Sequence, residues 1–142
     1  MAFDALGFEI RILSNLMYNR LNQITLEAEN LTIHQYWILS YLMNGAAGEV
    51  YQRDVEQLLS VKRSTANEML RTMEERGYIR RTVSPGNARR NVLSVTQTGI
   101  AARTRLAGEL SRCMLRFSQE IPDSELEQFQ KTLHTLRCSL EA

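Results

Sequence analysis

The sequence is short of the residues that interrupt or staple a chain. It has two prolines and seven glycines in 142 residues, so long stretches can stay helical without a break. Its two cysteines, Cys113 and Cys138, make neither a disulfide framework nor a zinc site by themselves. They read as small apolar residues on helix faces; a redox-sensing pair would require an exposed thiolate of low pKa. No apolar run approaches the roughly 20 residues of a membrane-spanning helix. The opening Met1-Ala-Phe-Asp-Ala5 lacks the basic segment and apolar run of a secretory signal. A soluble, cytoplasmic protein with no membrane partner is expected.

Catalytic signatures are missing too. No serine occupies a nucleophile elbow, no glycine-rich loop is shaped to cradle phosphate, and no His-Glu pairing has metalloprotease spacing. His34 and His134 are far apart in sequence and read as non-ligands. No enzyme, metal or cofactor is expected.

Net charge is only +1, but its distribution is uneven. From Gln52 to Val92 nine basic residues face five acidic ones, whereas the rest of the chain has eight basic and eleven acidic. A basic middle between mildly acidic ends is the footprint of a protein whose middle alone touches phosphate. Fifteen of the seventeen basic residues are arginine, the type suited to bidentate contacts with phosphate and base edges.

Periodicity supplies the elements. Phe3, Leu6, Ile10, Leu13, Met17, Leu21 and Ile24 recur at three- and four-residue steps, predicting a helix from Phe3 to about Glu27. Thr32 with Gln35 forms a capping-box signature for a helix from Ile33, which Gly45-Ala-Ala-Gly48 ends. After Val50-Tyr51, one rung of a strand, a helix is expected over Gln52–Leu59 with Val55, Leu58 and Leu59 inward. Another is expected over Arg63–Arg76, burying Ala66, Met69, Leu70 and Met73, with Val61 packing from the turn and Gly77 at C′. Two helices joined by so short a turn are a helix-turn-helix candidate.

The period then falls to about two over Tyr78–Val83 and Asn91–Val95, with turn formers and two arginines between them in residues 84–90. This pattern predicts a hairpin with a basic tip, a wing beside the second helix. Thr96 caps a long helix over about Gln97–Glu120, with Leu106, Leu110, Met114 and Phe117 spaced for burial. Ile121-Pro122 breaks it. A last helix begins at Asp123 or Ser124, where Leu126, Phe129, Leu133, Leu136 and Leu140 follow the seam of helix-on-helix packing.

The fold class is therefore mainly α with a small β-hairpin wing: a winged helix-turn-helix over residues 31–96, flanked by helices at 1–30 and 97–142. The flanking helices carry more apolar positions than a compact winged helix requires. Either they pack on each other within one chain, or they pair two chains. A homodimer would place two recognition helices about 34 Å apart, the spacing of a palindromic operator.

Taken together the residues resemble the MarR family of bacterial regulators. The most specific stretch runs from Leu58 to Gly99. It holds Leu59-Ser-Val61 leading into the recognition helix, then Leu70-Arg-Thr-Met-Glu-Glu-Arg-Gly-Tyr-Ile79, then Asn87-Ala-Arg89, and Leu93-Ser-Val-Thr-Gln-Thr-Gly99 at its end. The resemblance implies a dimeric repressor whose recognition helices enter major grooves while the wings touch the flanking minor groove. It also implies release of DNA when a small aromatic or anionic molecule binds between the dimerisation and DNA-binding regions. On that basis Lys62, Arg63, Ser64, Thr65, Asn67, Glu68 and Arg71 supply the DNA-facing side of the recognition helix, with Arg89 at the wing tip and Arg90 beside it. Two positions depart: Glu68 stands where the family usually has arginine, and Asn87 where the wing usually has aspartate.

Single residues keep two readings. Asn67 and Arg71, four apart, could bridge adenine and guanine respectively, or Arg71 could pair along the helix with Glu68 or Glu75. Tyr18, Tyr36, Trp37 and Tyr41 read as core or interface aromatics, or as walls of an effector pocket with Arg11 or Arg20 holding an anion. The main alternative to a DNA-binding regulator is a winged-helix module that binds protein, a reading that Glu68 and the modest net charge keep open.

Overall fold

The apolar stripe from Phe3 to Ile24 folds as one long helix, α1 (Phe3–Glu29). The computed structural model of the chain describes residues 3–45 and 48–142, and at 3, 45 and 87–89 the backbone alone. α1 stops where Asn30 turns left-handed at φ 54°, a conformation asparagine tolerates better than most residues. Leu31 N–H then returns to the Thr25 carbonyl at 3.4 Å. α2 (Ile33–Ser40) opens with the expected capping box: Thr32 Oγ1 accepts the Gln35 N–H at 3.1 Å, and Gln35 Oε1 accepts the Thr32 N–H at 3.0 Å. Asn22 Oδ1, reaching from α1, takes the Ile33 N–H at 2.9 Å. Three of the donors that a helix start leaves unpaired are thus satisfied by side chains. A π-helical turn, Tyr41–Gly45, follows α2.

β1 (Val50–Tyr51) leads into α3 (Gln52–Leu59), which ends at a left-handed Ser60 with φ 53°. α4 (Arg63–Glu75) begins three residues later. This pair is the helix-turn-helix. At the far end of α4, Gly77 takes φ 80° and the Tyr78 N–H reaches back to the Met73 carbonyl at 2.9 Å, the left-handed closure that glycine makes without steric cost. β2 (Ile79–Ser84) and β3 (Asn87–Val95) form the antiparallel wing. β1 pairs with β3 through Val50↔Leu93, so the sheet has three strands in the order β1-β3-β2.

The wing is longer than the sequence pattern suggests. Residues 84–90 read as a tip loop, but Ser84 pairs with Asn87, leaving only Pro85-Gly86 between the strands. The next pair is Val83↔Asn91, so residues 88–90 are a bulge within β3. Bulges keep a strand paired while breaking its two-residue rhythm, and for that reason periodicity missed it. Arg90 accordingly lies in a strand, not at the tip.

α5 (Gln97–Phe117) starts on Thr96, whose Oγ1 accepts the Gly99 N–H at 3.1 Å. It ends three residues before the expected Glu120. α6 (Asp123–Glu141) begins directly after Pro122. The chain divides into two compact units, Met1–Leu110 and Ser111–Ala142.

In the first unit the core joins Ile38 and Leu39 of α2, Val55 of α3, and Ala66, Leu70 and Met73 of α4 with Ile79, Leu93 and Leu106. Not every residue expected inside is there: Met114 and Phe117 of α5, spaced for burial, are 40% and 46% exposed, and Leu59 is only half-buried. Leu58, on the edge of the α3 stripe, is 45% exposed, and Met69 is only half-buried beside Leu70. α1 also presents apolar side chains to solvent, above all Phe8 at 66% and Leu16 at 63% exposure. In the second unit none of the α6 side chains is buried; Phe129, Leu133, Leu136 and Leu140 are exposed. Cys113 is buried and Cys138 is exposed.

Candidate nucleic-acid interface

α4 buries Ala66, Leu70 and Met73, at four- and three-residue steps, and so turns the rest of its circumference outward. Lys62 is its N-cap residue, with extended backbone at φ −70° and ψ 156°. Lys62, Arg63, Ser64, Thr65, Asn67, Glu68 and Arg71 are all exposed. They do not form one surface. Arg63, Asn67 and Glu74 lie along the flank that faces the wing. Ser64, Glu68 and Arg71 face directly away from the core, and Thr65 lies on the opposite flank.

The wing-side flank borders a cleft of about 490 Å³ between α3, α4 and the sheet. Four arginines line it, Arg53, Arg63, Arg81 and Arg90, with Glu56 the acidic residue among its lining. Cations so concentrated at the mouth of a concave surface raise the local anion concentration. Local contacts set their positions. Gln52 Nε2 donates to the Arg63 carbonyl at 3.3 Å, tying the start of α3 to that of α4. Asp54 Oδ2 accepts the Tyr51 N–H at 2.8 Å, fixing where α3 begins. The Arg90 guanidinium stacks over the Tyr51 ring, 5.1 Å from its centroid, and this cation–π contact holds a long side chain against the sheet. Tyr51 in turn donates a hydrogen bond to Glu49.

Arg81, which the sequence reading counted only as part of the basic middle, is a site residue that it missed. Its side chain is only 14% exposed. Nη1 donates to Asn67 Oδ1 at 3.1 Å, the backbone N–H donates to Glu74 Oε2 at 3.2 Å, and Nε lies 3.5 Å from Glu74 Oε1. A second cleft also has Arg81 in its wall, with Arg80, Thr82 and the start of α5. The two-residue alternation of β2, with Ile79 buried, was the signal for an inward Arg81. Arg53 carried no signal beyond its charge.

Other expectations resolve individually. Among the described residues Arg71 makes no ion pair with Glu68 or Glu75; the Glu68 carbonyl instead accepts the Thr72 hydroxyl at 3.0 Å. The side chains of Asn87 and Arg89 lie outside the described residues. Arg76 does not face outward with the other basic residues. Nη1 donates to the Asn30 carbonyl at 2.6 Å and Nη2 to the Glu29 carbonyl at 3.1 Å, so it caps the C-terminus of α1, where a helix favours a cation.

Of the aromatics, Tyr18 and Trp37 flank His34 with ring centroids 5.2 and 5.6 Å away. Burial holds the His34 pKa below its ordinary value. Arg103 donates to Ser40 Oγ at 3.1 Å and covers the Tyr36 ring at 5.7 Å. On α6, His134 Nε2 lies 3.5 Å from Cys138 Sγ, one turn apart. Among the described residues no three His, Cys, Asp or Glu side chains gather as a metal site.

This arrangement of helices and wing has many counterparts. A MarR-family transcriptional regulator from Rhodococcus sp. RHA1 shares the fold with a TM-score of 0.84 at 24% identity, over 96% of this chain and 95% of that one. Residues 29–90, which contain the helix-turn-helix and most of the wing, match the model of the MarR family. Over that segment the chain is similar to the MarR family. A putative transcriptional regulatory protein for the hcr operon of Thauera aromatica is 27% identical over 120 residues, 84% of this chain and 71% of its own length. A MepR-DNA complex from S. aureus has the same fold, with a TM-score of 0.78 at 24% identity, covering 99% of this chain and 98% of that one.

Proposed function

We propose that this chain is a transcriptional regulator of the MarR type that binds duplex DNA sequence-specifically as a homodimer, through Lys62, Arg63, Ser64, Thr65, Asn67, Glu68 and Arg71 on α4 and Arg89 and Arg90 on the wing. The observation that carries the proposal is the arginine-lined cleft beside an exposed recognition helix. In this reading α4 enters the major groove and the wing lies over the adjacent backbone. The DNA complex of the similarly folded MepR supports it. Pairing of two chains is supported by the exposed apolar residues of α1, led by Phe8 and Leu16, and those of α6. Single chains rarely leave so many large apolar groups in water.

The regulator acts in the cytoplasm as a repressor in this reading, and a small aromatic or anionic molecule releases it from DNA. The tilted Tyr18–His34–Trp37 ring cluster and the Arg103–Tyr36 pair offer the surfaces such a ligand would use. Among the described residues no helix is long and apolar enough to cross a membrane.

A fluorescence-anisotropy titration of mixed-sequence and genomic duplexes across a salt series tests the DNA reading. Log affinity should fall linearly with log salt as counterions are released. Absence of duplex binding even at low salt would overturn it. The exposed Glu68, repelled by phosphate, would then favour a protein-binding module.

A further inference from the structure

The contact between Arg81 and Asn67 constrains what the recognition helix can read. Alternation along β2 puts Ile79 and Arg81 on the face turned toward α4. Arg81 meets α4 at two points on one flank, about two turns apart: Glu74, through the backbone N–H and the ion-pair contact of Nε, and Asn67, through Nη1. Among the described residues the buried Nε has no hydrogen-bond partner of its own. The guanidinium is therefore placed by Glu74 at one end and Asn67 at the other.

The chemistry of the pair removes the usual ambiguity of an amide. A guanidinium has donors and no acceptor, while an asparagine has an oxygen that accepts and a nitrogen that donates. The end of Asn67 that faces Arg81 must be Oδ1. Nδ2, with its two N–H groups, is the end left for any partner outside. A free asparagine bridges adenine by accepting from N6 and donating to N7, which requires both amide ends on one base edge. With Oδ1 turned to the wing, that bridge is lost. Guanine offers two acceptors, N7 and O6, to a group that only donates.

Resting on the DNA-binding reading above, we infer that Arg81 is a positioning residue that makes Asn67 a donor-only reader, selecting guanine over adenine at the base pair it faces. The wing thereby takes part in specificity without touching that base, through the side chain it turns.

Selection of bound sequences from random duplexes, run at one salt concentration with the wild type, Asn67→Ala and Arg81→Met, tests this. The wild type should prefer guanine at one position of each half-site, and Asn67→Ala should erase that preference while leaving the others. Arg81→Met, its folding checked by thermal melting, should move the same position toward adenine by on the order of tenfold. A role of Arg81 in stability alone would lower affinity without changing that base. Guanine retained by folded Arg81→Met overturns the inference. If Arg81→Met does not fold, the other two proteins decide. Adenine at the position that Asn67→Ala erases, or no position erased, overturns it. A wild type that selects no duplex at low salt overturns instead the DNA-binding reading on which this rests.

Discussion

At Gly99 a methyl group would stand 2.3 Å from the Tyr78 carbonyl oxygen and 2.8 Å from Val95 Cγ2. That carbonyl also accepts the Thr96 N–H at 3.1 Å, and Thr96 Oγ1 donates to the Gly77 carbonyl at 2.5 Å. The start of α5 is thus pinned to the end of α4 at contact distance, and only hydrogen fits between. Gly99→Ala gains a little helix propensity but forces backbone apart. A net loss of about 1–3 kcal/mol is expected, read as a lowered urea midpoint at unchanged slope. An unchanged midpoint would mean that α5 can shift without penalty. Arg76 offers a second residue-scale test. Arg76→Gln removes charge-assisted bonds to the last carbonyls of α1 and should cost about 1–3 kcal/mol; stability equal to wild type would show that water replaces them.

For the elements, end chemistry matters as much as the apolar stripe. α2 has only eight residues, too few to form unaided in water, and three donors at its start are taken by Thr32, Gln35 and Asn22. Thr32→Ala should therefore destabilise by about 1 kcal/mol while Thr32→Ser stays near wild type. Equal melting temperatures for all three proteins would contradict a role for the cap. This capping box was legible in the sequence because it depends on two residues at a fixed spacing. The wing was legible only in outline. Strand alternation at residues 79–83 and 91–95 survived, whereas the bulge at residues 88–90 hides its pairing from any two-residue pattern. Leu58 was misplaced for a related reason: a short helix has an edge to its stripe, and what covers that edge is set by distant segments.

Across the whole molecule, the exposed apolar side chains of α1 form the largest claim on a second chain. If two copies pair through them, the double variant Phe8→Glu, Leu16→Glu should be monomeric by light scattering at micromolar concentration. It should also bind a palindromic duplex far more weakly than wild type, since one recognition helix then acts without its twin. A double variant that stays dimeric with full affinity would place the pairing surface elsewhere.

What the sequence determined by itself is whatever depends on neighbours within a few positions. The helices, their caps, the short turn between α3 and α4, the switch to a strand rhythm and the basic middle all arise from spacing and local charge. Which basic residues face outward was decided only by the tertiary structure. Arg71 and Arg81 are both arginines of the middle segment, yet one is exposed on α4 and the other is drawn inward to Glu74 and Asn67. Arg76 is spent on the end of α1, 46 residues away from the carbonyl it binds. A side chain's partner across such distances depends on how strands register and helices pack, and that information is carried by the whole fold, not by any stretch of the chain.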